Sequence, residues 1–233
     1  MLLSQLKRHF TAFTATGALG AVLGLSAMPA LAVSPAANPT AKTAKATAAP
    51  VILVVGDSLS AEYGLARGQG WVALLEKKLQ AEKIPAKVVN ASISGDTTSG
   101  GRSRLGPLLA QHKPTHIVIE LGGNDALRGL PVKMTADNLS AMTEAAQKIG
   151  AKVLLVGMQL PPNYGADYGK QFAGTFTQVA TAKKTGLVPF FLKDVADIAD
   201  PTKYFQADRI HPTAAAHPIM LTNVWPELKK QLK

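Results

Sequence analysis

Ser58 stands at a place in the sequence where a serine could act as a nucleophile. It lies in the string Gly-Asp-Ser-Leu-Ser at residues 56–60, directly after the apolar run at residues 51–55. A short run rich in valine and isoleucine is typical of a strand that is buried on both faces of a parallel sheet. Ligands bind at the carboxyl ends of such strands, which is where Ser58 would lie. We therefore expect Ser58 to attack a substrate.

A serine nucleophile needs a base, and the base needs an acceptor on its second ring nitrogen. Among the five histidines, His211 follows a carboxylate at a turn-like spacing, three residues after Asp208. His112 and His116 flank Pro114, which rules out a shared helical face and argues against a metal-binding pair. An Asp-x-x-His tetrapeptide alone is more often an ordinary surface turn. Asp208 and His211 therefore become candidate catalytic residues only in combination with the other segments.

Two further positions could supply donors to the oxyanion of a tetrahedral intermediate. Asn124 follows two glycines at the end of an apolar run, and its side-chain amide is a donor. Gly95 lies in a polar loop after another apolar run, where a small residue allows close approach to its N–H. Glycine and asparagine are also common turn residues, so each position alone is a weak signal. All four segments nevertheless fall at predicted strand ends.

Strand and helix patterns alternate along the chain without an internal repeat. The predicted strands lie at residues 51–55, 86–89, 116–121, 152–157 and 187–191. The predicted helices lie at residues 71–79, 102–111, 135–149, 172–184 and 213–232, with Thr135 as the N-cap of the third. This alternation predicts an α/β fold, a three-layer flavodoxin-like sandwich with a five-stranded parallel sheet and helices on both faces. Pro189 predicts that the fifth strand lies at a sheet edge.

The N-terminus has the composition of a targeting segment. Lys7 and Arg8 precede an apolar stretch at residues 10–25, and Ala-Leu-Ala at residues 30–32 has the small-x-small pattern of a signal-peptidase site. We predict a cleaved signal peptide at residues 1–32 and hence a secreted, periplasmic or extracellular protein. An uncleaved N-terminal anchor is the alternative.

The remaining composition separates a linker from a folded domain. The stretch at residues 33–49 is rich in Ala, Pro, Thr and Lys, which predicts a disordered linker, and the folded domain is expected over residues 50–233. The hydrophobic fraction of 47% is typical of a globular protein. The formal charge of +10 could favour an anionic substrate or a membrane surface, but no basic stripe predicts nucleic-acid binding. The chain has no cysteine, which excludes thiolate catalysis and disulfides.

Taken together, the four segments resemble the motif blocks of the SGNH (GDSL) hydrolases in order and spacing. These blocks are residues 56–60, Gly95, residues 122–125 and the pair Asp208 and His211. The strings at residues 90–97 and 120–129 are similar to those of the secreted thioesterase I, lysophospholipase and arylesterase branch of the family. The resemblance covers roughly residues 50–233.

The resemblance implies a role for each block. Ser58 would attack the acyl carbonyl, His211 would act as general base and then acid, and Asp208 would orient His211. The oxyanion hole would consist of the N–H of Ser58, the N–H of Gly95 and the side chain of Asn124. The candidates for contact with substrate are Asp57, Gly123, Leu127, Arg128, Leu160, Pro161 and Tyr164, although Asp57 is also expected to fix the turn at Ser58.

The activity implied by the resemblance is hydrolysis of carboxylic esters and thioesters by an acyl-enzyme on Ser58, without a cofactor or metal ion. The expected partner is a small acyl ester or thioester, with transient lipid contact possible, and the expected state is a monomer. One alternative is a carbohydrate O-deacetylase that uses the same residues. Another is a non-catalytic flavodoxin-like module that binds a mononucleotide, against which stands the lack of a Gly-rich phosphate loop after the first strand. Glu62 has no match in the family pattern and is interpreted as a solvated charge or as part of the acyl pocket.

Overall fold

The computed structural model describes residues 49–233. The predicted signal peptide, and the predicted linker apart from its last residue, lie outside the described residues. Within residues 49–233, no helix has the length and apolarity needed to cross a membrane.

Five parallel strands form the central sheet. They are β1 (Val51–Gly56), β2 (Lys87–Asn90), β3 (His116–Glu120), β4 (Lys152–Val156) and β5 (Gly186–Val188). Their order across the sheet is β2-β1-β3-β4-β5, and each neighbouring pair is parallel. This is the predicted flavodoxin-like order, and β5 lies at the predicted edge.

Helices cover both faces of the sheet. They are α1 (Trp71–Ala81), α2 (Thr98–His112), α3 (Gly123–Leu127), α4 (Val132–Lys148), α5 (Ala166–Lys183) and α6 (His217–Gln231). Helices α1 and α6 pack together on one face, whereas α2, α4 and α5 pack side by side on the other. The three-layer α/β sandwich predicted from the sequence is thereby confirmed.

The core lies on both sides of the central strands. Residues 52–55 of β1 are fully buried, and every residue of β3 is buried, because helices exclude water from both faces. Trp71 of α1 packs edge-on against Phe191 on one side, with ring centroids 5.6 Å apart. Phe172 and Phe176 of α5 form a similar edge-on pair on the other. Burial of this apolar surface fixes which strand ends meet at the sheet's carboxyl edge.

Helix α2 begins at Thr98, four residues earlier than predicted. The hydroxyl of Thr97 accepts a hydrogen bond from the N–H of Gly100 at 3.2 Å, as an N-cap does. The carboxylate of Asp125 accepts the N–H of Thr98 at 2.8 Å. A carboxylate of α3, 27 residues away along the chain, therefore stabilises the first turn, and a local sequence pattern does not contain this partner.

The prediction that Thr135 is an N-cap is wrong. Helix α4 begins at Val132, directly after Pro131, and the N–H of Met134 bonds to the carbonyl of Pro131 at 2.9 Å. Thr135 is therefore buried inside the helix, where its hydroxyl reaches Asp125 Oδ1 at 3.5 Å.

Three other boundaries differ from the prediction by three or more residues. Helix α5 begins at Ala166, six residues early, because its first turns are polar and exposed and carry no apolar periodicity. Helix α6 begins at His217, since residues 214–216 form a 3₁₀ turn ahead of it. Strand β5 ends at Val188 because Pro189 has no N–H to continue the ladder.

Candidate active site

The loops that follow β1, β2 and β3 meet at one edge of the sheet. These three strands are neighbours; Ser58 and Gly95 lie in the loops after β1 and β2, and Asn124 lies in α3 directly after β3. The register pairs Gly56 with Glu120, so the residues that follow β1 and β3 begin at the same level. The structure therefore brings together the segments that the sequence predicts to act together.

A hydrogen-bonded chain links Ser58, His211 and Asp208. The Nε2 atom of His211 lies 2.9 Å from Ser58 Oγ, and its Nδ1 atom lies 2.7 Å from Asp208 Oδ2. The imidazole side chain is only 18% exposed, whereas the carboxylate is 38% exposed. This geometry allows proton transfer from the serine hydroxyl to the imidazole.

The carboxylate of Asp208 binds the backbone of His211 as well as its imidazole. Its Oδ1 atom accepts the N–H groups of Ile210 at 2.9 Å and His211 at 3.0 Å. These backbone bonds, followed by the bond to the imidazole, lower the pKa of Asp208 to about 2. The carboxylate is therefore ionised wherever an imidazole base is neutral.

The turn that carries His211 is closed by main-chain bonds. Phe205 and Pro212 form an antiparallel bridge, and the N–H of Gln206 bonds to the carbonyl of His211 at 2.8 Å. The side-chain amide of Gln206 donates to the carbonyl of Tyr63 at 2.9 Å. This amide ties the His211 turn to the loop that follows Ser58.

Tyr63 is a site residue that the sequence reasoning missed. Its ring lies against the imidazole of His211, with centroids 4.2 Å apart and planes inclined at 36°. Half of the tyrosine side chain remains exposed. An aromatic residue five positions after the nucleophile is the only signal that the sequence offers for this contact.

The three groups that the resemblance implies for an oxyanion hole each keep a donor hydrogen without a partner among residues 49–233. The N–H groups of Ser58 and Gly95 donate to no other group among residues 49–233. Gly95 has φ +78°, a conformation that glycine adopts without steric cost. Asn124 directs its side-chain amide to Asp57 Oδ2 at 3.0 Å, which leaves the second amide hydrogen free. Arg128 donates to the carbonyl of Gly95 at 3.0 Å and so braces this loop.

Two acidic side chains are buried behind the site. Asp57 and Glu120 are each 3% exposed, and the N–H of Asp57 points to Glu120 Oε2 at 3.4 Å. Burial raises the pKa of Asp57 to about 6, and burial with the nearby Asp57 charge raises the pKa of Glu120 well above its usual value. Asp57 thus lies behind Asn124 and offers little surface to a substrate.

The remaining candidates for substrate contact divide into two groups. Gly123, Leu127 and Arg128 lie in or directly after α3, beside Asn124, and both Leu127 and Arg128 are exposed. Leu160, Pro161 and Tyr164 follow β4 at the same edge, and the last belongs to a 3₁₀ turn. No hydrogen bond joins this second group to Ser58 or His211.

Glu62 is bound within the loop that follows Ser58 and is not a freely solvated charge, and its part in the acyl pocket stays a prediction. It has φ +61°, and its carboxylate accepts the N–H of Gly68 at 3.0 Å and the N–H of Gly70 at 2.7 Å. It therefore holds the loop between Ser58 and α1. Within residues 49–233, no cluster of three His, Asp or Glu side chains is placed to hold a metal ion.

Comparison with known proteins shows close relatives. Residues 54–219 match the GDSL-like lipase/acylhydrolase family. Esterase TesA of Pseudomonas aeruginosa is 54% identical over 185 residues, which are 79% of this chain and 90% of the relative. Thioesterase 1/protease 1/lysophospholipase L1 of Escherichia coli K12 is 40% identical over 76% of this chain and 83% of the relative.

A solved structure agrees with these sequence matches. The crystal structure of TesA superposes with a TM-score of 0.75 and 54% identity, and the match covers 78% of this chain and 99% of that one. Four ordered motif blocks, one sheet topology and a family match over most of the domain all agree. The chain belongs to the GDSL-like lipase/acylhydrolase family.

Proposed function

We propose that this protein hydrolyses carboxylic esters and thioesters through an acyl-enzyme on Ser58. The observation that carries the proposal is the hydrogen-bonded chain from Ser58 Oγ to His211 Nε2 and from His211 Nδ1 to Asp208, at 2.9 and 2.7 Å. The relatives named as an esterase and as a thioesterase with lysophospholipase activity support both substrate classes.

In the first half of the reaction, His211 takes the proton of Ser58 as Oγ bonds to the acyl carbon. The carbonyl oxygen becomes an oxyanion, which the N–H groups of Ser58 and Gly95 and the amide of Asn124 stabilise. His211 then gives its proton to the leaving alcohol or thiol. In the second half, His211 takes a proton from water as the water oxygen bonds to the acyl carbon and a second oxyanion forms. Its collapse breaks the bond to Ser58 Oγ, which regains the proton from His211, and the acid is released.

The rim of the site supports a substrate with an apolar acyl group. Among residues 49–233, five large apolar side chains are exposed, and four of them, Tyr63, Ile93, Leu127 and Ile210, belong to the loops that carry the motif blocks. Apolar side chains concentrated around one site indicate a binding function. The same rim supports transient contact with lipid aggregates that present such a substrate.

The predicted signal peptide belongs to the same proposal. A cleaved segment at residues 1–32 and a linker to residue 49 would deliver the enzyme, as a monomer, to the periplasm or the extracellular medium. N-terminal sequencing of the protein from the periplasmic fraction tests this export. A mature protein that begins near residue 33 is expected, whereas an intact N-terminus would favour the anchor.

The central experiment is a chain-length series of p-nitrophenyl and acyl-CoA esters, measured on the wild type and on Ser58→Ala. The variant should lose at least about a thousandfold in kcat, because the nucleophile is removed. Full activity of Ser58→Ala would refute the mechanism. Activity confined to acetylated sugars would instead select the carbohydrate O-deacetylase, and failure of a fluorophosphonate to label Ser58 would favour a non-catalytic module.

A further inference from the structure

A buried chain of hydrogen bonds runs from α1 to Asn124. The indole Nε1 of Trp71 donates to Ser60 Oγ at 3.0 Å, and the Ser60 hydroxyl donates to Glu120 Oε2 at 2.7 Å. The backbone N–H of Asp57 points to the same oxygen of Glu120. The carboxylate of Asp57 accepts a hydrogen bond from the side-chain amide of Asn124 at 3.0 Å. The first four members of this chain are almost fully buried.

The direction of each hydrogen in this chain is fixed by chemistry. An indole nitrogen only donates, so the Ser60 hydrogen must go to Glu120, and Oε2 is an acceptor. Both oxygens of Asp57 accept, since Oδ1 takes the N–H of Leu59 at 3.0 Å and Oδ2 takes the amide of Asn124. A proton on Asp57 would therefore face a donor. A proton on Glu120 Oε1 would displace no hydrogen bond from the described residues.

Electrostatics, together with these hydrogen bonds, assigns the negative charge to Asp57 and the proton to Glu120. Two adjacent carboxyl groups in a buried site ionise one after the other, because the first charge opposes the second. Among the described residues, no cation contacts the Asp57 or Glu120 carboxyl group, and both pKa values are raised as described above. Because both oxygens of Asp57 accept hydrogen bonds from N–H groups, the hydrogen-bond pattern assigns the first ionisation to Asp57.

The other charged groups around Asp57 and Glu120 form two hydrogen-bonded pairs, one on each side. Asp96 is bound to Arg104 at 2.8 Å, and the same guanidinium reaches the carbonyl of Gly56 at 3.3 Å. His211 with Asp208 lies on the solvent side, and the charge of His211 favours ionised Asp57 whereas that of Asp96 opposes it. Neither of these two pairs removes the repulsion between the carboxyl groups of Asp57 and Glu120.

We propose that Asp57 is a positioning residue that holds the Asn124 amide as an oxyanion donor, and that Glu120 carries the one proton which the two buried carboxyl groups share. One hydrogen of Asn124 Nδ2 is bound to Asp57, which fixes the amide plane and directs the other hydrogen to the oxyanion. Protonation of Asp57 removes the acceptor, so the amide can turn its oxygen toward Asp57 and the donor is lost. The inference rests on the proposed role of Asn124.

Variants separate positioning from a merely structural role. Asp57→Asn has one acceptor oxygen for two donors, so kcat should fall about 10- to 100-fold while KM changes less than about threefold. In the pH profile of kcat, the fall in activity that protonation of Asp57 causes near pH 6 should disappear. Glu120→Gln keeps an acceptor for Ser60 and should retain at least about tenfold more kcat than Glu120→Ala. The matched control is Glu76→Gln on the exposed face of α1, with wild-type kinetics expected.

A measurement on the wild type does not need turnover. With ¹³C-labelled carboxyl groups, NMR should show Asp57 titrating with a midpoint at about pH 6 and Glu120 keeping its proton to a higher pH than Asp57. Glu120 ionising at a lower pH than Asp57, or Asp57→Asn with wild-type kcat and pH profile, would overturn the inference. These outcomes are distinct from failure of the proposed function, which active Ser58→Ala would reveal.

Discussion

At the scale of single residues, the carboxylate of Asp208 has the most partners in the site. It accepts the imidazole N–H of His211 and two backbone N–H groups, and all three bonds favour its ionised form. We expect Asp208→Asn to lower kcat about 10³- to 10⁴-fold with little change in KM, because the amide cannot fix the required tautomer. Steady-state kinetics on a p-nitrophenyl ester measures the loss.

Asp200 offers a matched control for this substitution. It is exposed, and its Oδ1 accepts the N–H of Thr202 at 3.1 Å, so it forms a similar turn away from the site. Asp200→Asn should keep kcat within about twofold of the wild type. Equal effects of the two variants would show that Asp208 is a turn residue rather than a partner of His211.

Much of the site could be predicted from residue identity, but the residues that pack around and behind it could not. The meeting of Ser58 with Asp208 and His211 could be predicted because the motif blocks occur together, in order, at predicted strand ends, whereas each block alone is a weak signal. The contact of Tyr63 with His211 depends on a turn closed by distant main-chain bonds. The Asp57–Glu120 pair depends on the register of β1 and β3, which a linear pattern does not specify.

At the scale of elements, the loop before α1 depends on Glu62. Gly70, the N-cap residue of α1, has no capping side chain of its own, and the Glu62 carboxylate accepts its N–H instead. Glu62→Ala should lower the free energy of unfolding by about 2–4 kcal/mol, because charge-assisted bonds to two N–H groups are lost. Urea denaturation followed by circular dichroism measures the change.

Two further variants test the cause. Glu62→Gly loses the same bonds but accepts φ +61° without steric cost, so it should be about 0.5–1 kcal/mol more stable than Glu62→Ala. Glu76→Ala, on the exposed face of α1, should change stability by less than about 0.5 kcal/mol. If Glu62→Ala behaves like Glu76→Ala, the carboxylate does not support the loop.

The starts of the five long helices were less predictable than their existence, and the short helix α3 was not predicted. Thr98 and Thr135 both bind the fully buried Asp125, and these partners lie 27 and 10 residues away along the chain. Local capping patterns predict a boundary only where the cap is local. The order of strands was predictable, because alternating strands and helices with one handedness leave few topologies.

At the scale of the whole molecule, folding must keep His217 neutral. It is 2% exposed, its Nδ1 accepts the N–H of Trp71 at 3.0 Å, and it joins α6 to the start of α1. Burial lowers the pKa of His217 to about 4, against 6.5 for a free imidazole. The unfolded chain therefore binds a proton that the folded chain does not bind between these two pH values.

The sign and size of the resulting pH dependence follow from linkage. Stability is lost as the pH falls from about 6.5 to about 4, and this gap in pKa corresponds to about 3 kcal/mol. Asp57 has the opposite effect, since its raised pKa means that stability is lost as the pH rises from 3.8 to about 6. The raised pKa of Glu120 acts in the same direction as that of Asp57, so the total stability does not isolate the contribution of His217.

A difference measurement isolates the histidine. In His217→Asn the titrating group is absent while an acceptor oxygen can replace Nδ1, and the Asp57 contribution cancels between the two proteins. The stability advantage of the wild type over His217→Asn should therefore shrink by about 3 kcal/mol between pH 7 and pH 4, measured by urea denaturation. His112→Asn, on α2, controls for the loss of an imidazole. An advantage that stays constant with pH would mean that His217 is protonated equally in the folded and unfolded chains, and that burial between α1 and α6 does not keep it neutral.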